Sequence, residues 1–238
     1  MHDAPRLRSD IIGDAGLVTR PRLRRSVPVR VLSSQSLMPR EAAFLRRLTP
    51  EWRIQKYLDE IDYDVSGERC RSPRWVLRDR KAQCLDGALL AAAALRLQGY
   101  PPLLLDLEAE RDDDHVVAIF RRNGHWGAVG RSNFSGLRFR EPVFRTLREL
   151  ALSYFEVYFN LRREKSLRRY SLAVDLSRFD QRHWMSTDDD PWYIAEHLVH
   201  VRHFELLTPA MRRDLGPVDQ RLFEAGKLGR VSCVLSDP

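Results

Sequence analysis

The run Leu85-Asp-Gly-Ala-Leu-Leu-Ala-Ala-Ala-Ala-Leu-Arg-Leu-Gln98 is apolar nearly all the way round a helix. Alanine and leucine are strong helix formers. A helix without a polar face has no side to offer water, so the run predicts a helix buried on every side. Gly99 and Pro101 stop it. Such a helix needs other layers around it, and the sequence that follows reads as a sheet. Pro102-Leu-Leu-Leu-Asp-Leu107 is a short buried strand, and His115-Val-Val-Ala-Ile-Phe-Arg121 and Trp126-Gly-Ala-Val-Gly-Arg131 are two more. Between the last two stands Asn123-Gly124, the dipeptide most typical of a two-residue hairpin. That loop sets Arg122 against His125, and stepping back along the pair sets His115 opposite Ser132, one residue from Asn133.

Ala43, Phe44, Leu45 and Leu48 mark a helix from Pro39, and Thr49-Pro50-Glu51 reads as the cap and first turn of a second, running to about Ile61. Residues 62–74, with Gly67, Cys70 and Pro73, read as a loop. Thr146-Leu-Arg-Glu149 is a capping box opening a helix that aligns Leu147, Leu150, Ala151, Tyr154, Phe155 and Tyr158 on one face. From Leu161 the pattern is irregular, with helical pieces at 194–201 and 217–225. Residues 1–35 carry Pro5, Pro21 and Pro28, seven Arg and three Asp without sustained period, and read as an extended basic arm. The expected fold class is α+β, divided into the arm at 1–35, a core at 36–160 and a C-terminal extension of helices and loops at 161–238 packed on the core.

Three Cys in 238 residues cannot staple the chain, 12 Gly and 13 Pro exclude a collagen-like repeat, and 43% hydrophobic residues exclude a wholly disordered chain. There is no run of about 18 apolar residues and no apolar signal core at the N-terminus, which predicts a soluble, cytoplasmic protein with no membrane partner. The net charge of +7 allows an anionic partner. Lys56, Lys81, Lys165 and Lys227 are the only lysines among 40 basic residues, so the rest are arginine, as a genome-wide codon preference would give. Those arginines are spread along the chain rather than massed in a stripe, which argues against a nucleic-acid partner.

Cys84 stands at the entrance of the buried helix. Backbone N–H groups and the positive end of the macrodipole favour thiolate there and can stabilise an oxyanion, the setting of a nucleophile. His115 heads a strand, and an imidazole can take the thiol proton and return it to a leaving amine. A side-chain oxygen at that end of the hairpin would hold the ring. Asn133 is chemically the better orienter; the strict register favours Ser132, and Asn133 requires a bulge or bend at Gly130-Arg131.

The matching stretches are Gln-Cys84-Leu-Asp-Gly-Ala-Leu, Asp-Asp-His115-Val-Val-Ala-Ile-Phe and Gly-His-Trp126-Gly-Ala-Val-Gly-Arg-Ser-Asn133, followed by Phe-Ser-Gly-Leu-Arg-Phe-Arg-Glu-Pro-Val143. Together they resemble the transglutaminase-like superfamily of papain-fold cysteine enzymes, in an uncharacterised bacterial branch, over residues 75–160. The resemblance implies a papain-like core with Cys84 as nucleophile, His115 as base, and acyl-enzyme chemistry on a peptide or protein amide without metal or organic cofactor. It implies an oxyanion hole using an upstream amide or aromatic side chain, for which Gln83 and Trp75 are candidates; Trp75, Trp126 and Phe134 are either cleft or core residues. Many members carry an Asp as third residue; here Gly130 stands near that place, which leaves Asn133 or a degraded site. The alternative function is therefore a catalytically inactive member acting as a binding module.

His197, His200 and His203, spaced by three, drift around a helix and lack a completing ligand, so they predict a solvated face rather than a metal site. Asp112, Asp113 and Asp114 form an acidic turn expected to raise the pKa of His115. Cys70 and Cys233 have no pairing logic in a reducing compartment.

Overall fold

The alanine-rich helix organises the core. The computed structural model describes residues 37–231; the expected arm at 1–35 and Cys233 lie outside the described residues. Along the chain come α1 (Pro39–Arg46), α2 (Trp52–Asp59), β1 (Asp62–Tyr63), α3 (Pro73–Asp79), β2 (Lys81–Ala82), α4 (Cys84–Leu97), β3 (Leu103–Ala109), β4 (His115–Arg122) and β5 (His125–Val129). There follow β6 (Arg140–Phe144), α5 (Leu147–Leu152), β7 (Leu167–Ser171), β8 (Val174–Asp175), α6 (Trp192–His200), β9 (His203–Glu205), α7 (Pro209–Arg213) and α8 (Gln220–Gly226). The fold is α+β, with several helices around an antiparallel sheet ordered β6-β5-β4-β3-β7-β9, β8 pairing with β3.

Every residue of α4 from Leu85 to Leu95 is buried, as its composition requires. It packs on β4 and against α1, α2 and α3. Leu104, Val116, Ala118, Phe120 and Val129 face α4 in one core cluster. Leu105, Leu107, Val117, Ile119 and Ala128 face the other way, onto Leu150, Ala151, Tyr154 and Tyr158. β3 and β4 are thus covered on both faces, which is why they read as continuous apolar runs rather than alternating ones. Removing a fully buried leucine such as Leu89 or Leu104 to alanine costs about 2–5 kcal/mol in such a core.

The β4–β5 hairpin has the expected register, Arg122 opposite His125 through to Ala118 opposite Val129. Asn123 and Gly124 both adopt positive φ, 51° and 80°, the pair of conformations a two-residue turn of this hand demands. The ladder stops at Val129, so the Val116 N–H has no partner on β5.

Several expectations are corrected. Glu51, not Thr49, is the N-cap of α2, and Pro50 lies in the preceding turn. The 62–74 loop contains β1, which pairs in parallel with β2. Thr146 does cap α5, its hydroxyl accepting from the Glu149 N–H at 3.1 Å, but the helix ends at Leu152, and Phe155 falls in a separate single turn. Beyond residue 160 the expected helical pieces are α6 and α8, and the chain also adds strands not foreseen: β7 and β9 continue the same sheet, with β7 beside β3. β7, Leu-Arg-Arg-Tyr-Ser, hides in the sequence because its arginines neutralise its apolar signal. Among the described residues no helix is long and apolar enough to cross a membrane.

Candidate active site

A buried charge network fixes the entrance of α4. Asp86, in its first turn, accepts from the Gln83 N–H at 3.1 Å and the Arg71 N–H at 2.7 Å, so it caps the helix and ties it to the 69–72 segment. The Arg71 guanidinium binds Asp64 and, at 3.0 Å, Asp79, and Lys81 reaches Asp64 at 3.1 Å. Burial pushes the Asp86 carboxyl up to about 6 against those donors. Burial also raises Asp64, but hydrogen bonds from Ser66, Arg71 and Lys81 outweigh it and hold that carboxyl well below its usual range.

Cys84 is the first residue of α4. Its Sγ donates to the Asp114 carbonyl at 4.0 Å, and the nearby N–H groups of Val116 and Leu85 favour its thiolate form. The Val116 N–H is the one that β5 leaves open, so the end of the hairpin ladder is where the thiol is seated. Burial nonetheless pushes the thiol up to about 11, with Asp86 and Asp106 adding to the rise. A helix terminus contributes about 0.3–1 kcal/mol, less than one pKa unit, which is smaller than the rise that desolvation of this half-buried thiol produces. The expected stabilisation of thiolate therefore loses to desolvation.

His115 is buried at the head of β4, its ring edge-on to Tyr158 at 6.4 Å between centroids. Its Nε2 lies 3.0 Å from the Leu137 carbonyl. A carbonyl only accepts, so Nε2 carries the hydrogen and Nδ1 is left as an acceptor. Burial pushes the imidazole down to about 4. The expected rise caused by Asp112 to Asp114 is not found, since burial dominates and pushes Asp112 and Asp114 upward as well.

Neither side chain expected to orient the ring does so. Ser132 Oγ accepts from the Phe134 N–H at 3.0 Å, a local turn. Asn133 donates from Nδ2 to the Val231 carbonyl and accepts at Oδ1 from the Val231 N–H, both at 2.8 Å. The Leu137 carbonyl takes the seat because residue 130 has no side chain. A Cβ there would lie 3.1 Å from His115 Nε2 and 3.3 Å from the Leu137 oxygen. The Gly130 N–H is itself held by Gln55 Oε1 at 3.2 Å.

Cys84 and His115 open on one cavity of about 530 Å³, whose wall also contains Gln83, Ser132, Asn133 and Phe134. Gln83 turns its amide away, donating to the Arg69 carbonyl at 3.1 Å. Trp75 and Trp126 are not in the wall. Trp75 packs against the guanidiniums of Arg69 and Arg78, and Trp126 packs on the opposite core under Arg121.

Tyr63 is an aromatic residue of the site that carries no sequence signal. It lies on β1, beside the strand that leads into Cys84, and lines the cavity under the Arg131 guanidinium. Burial first, then charge on Cys84, raises its phenol, so the hydroxyl stays a donor. A two-residue strand has no periodicity by which to find it. Tyr158, also in the wall, shares its hydroxyl hydrogen between the carbonyls of Asp113 and Leu107 and so pins the acidic turn to the sheet.

His203 is on β9 rather than a helix, with Nε2 3.0 Å from Asp106 Oδ2. His197 meets Arg178, and His200 Nδ1 lies 2.6 Å from the Glu196 carbonyl, so the three histidines do not converge. Among the described residues no group of three or more His, Cys, Asp or Glu side chains could hold a metal ion. Cys70 is a buried thiol whose pKa burial raises well above normal. No family model matches the chain, and no curated protein matches it.

Proposed function

We propose that this cavity is the centre of a cysteine-dependent acyl-transfer enzyme of the transglutaminase-like, papain-fold type, which hydrolyses a peptide or protein amide through a thioester. The observation that carries the reading is that Cys84 and His115 line one cavity, with the ring held through Nε2 by the Leu137 carbonyl, which leaves Nδ1 as the nitrogen able to act as base.

The resting pair is neutral thiol and neutral imidazole, so the nucleophile forms as it attacks. Nδ1 takes the Cys84 proton while sulfur bonds to the substrate carbonyl carbon, leaving an oxyanion and an imidazolium. The Leu137 carbonyl, accepting from Nε2–H, supports the positive ring. The Tyr63 hydroxyl, on the cavity wall, is a side-chain donor that can serve the oxyanion. The imidazolium returns its proton to the leaving amine as the carbon–nitrogen bond breaks, and the thioester remains. Water, deprotonated by Nδ1, then attacks the thioester and releases a carboxylic acid and the thiol. Nothing in the wall marks a second amine site, which favours water as acceptor.

The test is to quench the protein in acid after mixing with activated acyl donors and peptide amides, and to look for a Cys84 adduct by mass spectrometry. An adduct absent from Cys84→Ala, and formed about 10²–10⁴-fold more slowly in His115→Ala, supports the reading. Because the base is neutral down to about pH 4, the rate is expected to hold until the pH nears that value. No adduct with any donor would leave the cleft as a binding site.

A further inference from the structure

Asn133, freed from the imidazole, has another use. Its carboxamide offers one acceptor and two donor hydrogens, and one donor and the acceptor are spent on the N–H and C=O of a single residue, Val231. That reciprocal pair is what one β-strand residue supplies to its neighbour. It reads main chain, whatever the side chain, and it lies in the wall of the Cys84 cavity.

The chain is delivered there by a built path. The last turn of α8 docks on the segment after Asn133, with Ser135 N–H donating to Gly226 O at 2.9 Å and Ser135 Oγ to Ala225 O at 2.7 Å. A turn from Lys227 to Arg230, closed by a 2.9 Å bond and with Gly229 at φ +76°, reverses the chain towards Asn133. Arg230 then joins the cavity wall, its guanidinium 5.9 Å from the Phe134 ring centroid. The same wall carries Asp112, Asp113 and Asp114. Asp112 and Asp114 accept from the Ser166 hydroxyl and the Ala109 N–H, so neither carboxyl is spent on a guanidinium.

The geometry points to an extended-peptide subsite beside Cys84, in which Asn133 reads the main chain and the aspartates select a basic residue next to it. The chain's own Arg230-Val231 occupies this subsite as a tethered competitor. A substrate peptide carrying an arginine or lysine next to the residue held by Asn133 displaces it. This deepens the proposed function, since it names the substrate class of that cavity, and rests on that reading.

The test uses accessibility of Cys84, which needs no turnover. The intact chain, a chain ending at Leu228, and the intact chain with Asn133→Asp are labelled at pH 9 with a bulky maleimide, and Cys84 modification is followed by mass spectrometry. Asn133→Asp keeps size and acceptor but loses the donor to Val231, so it disrupts the pair without removing any residue. Both changes are expected to speed labelling several-fold. A synthetic peptide of residues 227–238, with Cys233→Ser, should restore slow labelling of the shortened chain; the same peptide with Arg230→Glu should not. Labelling unchanged in both altered chains, or peptides that protect equally, would overturn the subsite. If protection behaves as stated but no acyl adduct ever forms at Cys84, the subsite stands and the catalytic reading fails. If an adduct forms but the peptide gives no protection, the subsite fails and the catalytic reading stands.

Discussion

His115 and Leu137 are joined side chain to main chain, Nε2 donating to the carbonyl at 3.0 Å across a gap that Gly130 leaves open. A carbonyl in this role cannot be protonated and cannot be mutated away. It stays aimed because the neighbouring backbone is held: Arg140 donates to the Gly136 carbonyl at 2.9 Å and to the Ser153 hydroxyl at 3.1 Å, and stacks over Tyr154.

Gly130→Ala tests the seat. Its methyl would lie 2.9 Å from Val117 Cγ1 as well as 3.1 Å from Nε2, and Val117 is fully buried and cannot swing aside. Overpacking of this kind is expected to cost about 1–3 kcal/mol, read by urea unfolding, and to lower acyl transfer further by displacing the ring. Ser132→Ala, which touches only a local turn, should stay within about 0.5 kcal/mol of the parent. Equal loss in both variants would remove Gly130 from the account.

Thiol titration separates burial from the helix dipole. With Cys84 pushed up to about 11, iodoacetamide labelling should climb about tenfold per pH unit from neutrality to pH 10, following the thiolate fraction. A plateau reached near pH 8 would mean that the dipole and the Val116 and Leu85 donors win after all.

His115 makes stability fall in acid. Its imidazole titrates near 4 when folded against an ordinary value of 6.5, so the unfolded chain takes up the proton first as pH drops. The contribution is complete above about pH 6.5, is lost through the window down to about pH 4, and amounts to about 3 kcal/mol. Asp86 and Asp106, both pushed up to about 6, act oppositely, adding stability as pH falls below 6. The difference between parent and His115→Gln in urea unfolding at pH 4.5 and 7 isolates the histidine. Parallel pH curves for the two proteins would contradict a buried neutral ring.

Arg71→Leu should be the most damaging charge removal. It leaves Asp86 without a cation and Asp64 with Lys81 alone, in surroundings where breaking a buried pair costs about 3–5 kcal/mol. The loss should shrink between pH 7.5 and pH 5, as Asp86 takes up a proton in place of its lost partner. A pH-independent loss would assign the effect to packing of the arginine stem instead.

The central helix, the hairpin and its register were legible because each rests on a local rule: helix propensity, Asn-Gly turn chemistry and period-two pairing. Cys84 and His115 could be placed in one site for the same reason, as residues at the ends of readable elements. Leu137 could not, since it acts through a backbone atom that every residue possesses. Tyr63 and β7 escaped too, one on a strand too short for a pattern, the other made illegible by Arg168 and Arg169, which pair with Glu110 and Glu108. Asn133 was expected to orient the imidazole; it binds Val231 instead, a partner 98 positions downstream and beyond the reach of local reasoning.

That separation has a consequence for the order of events during synthesis. Translation runs from the N-terminus, and α4, the hairpin and the Leu137 carbonyl all precede Arg230 and Val231 by a long stretch of chain. The thiol and its base can thus meet before Arg230 and Val231 exist. A newly made molecule passes through an interval in which Asn133 already stands in the wall of the cleft but has no Val231 to bind.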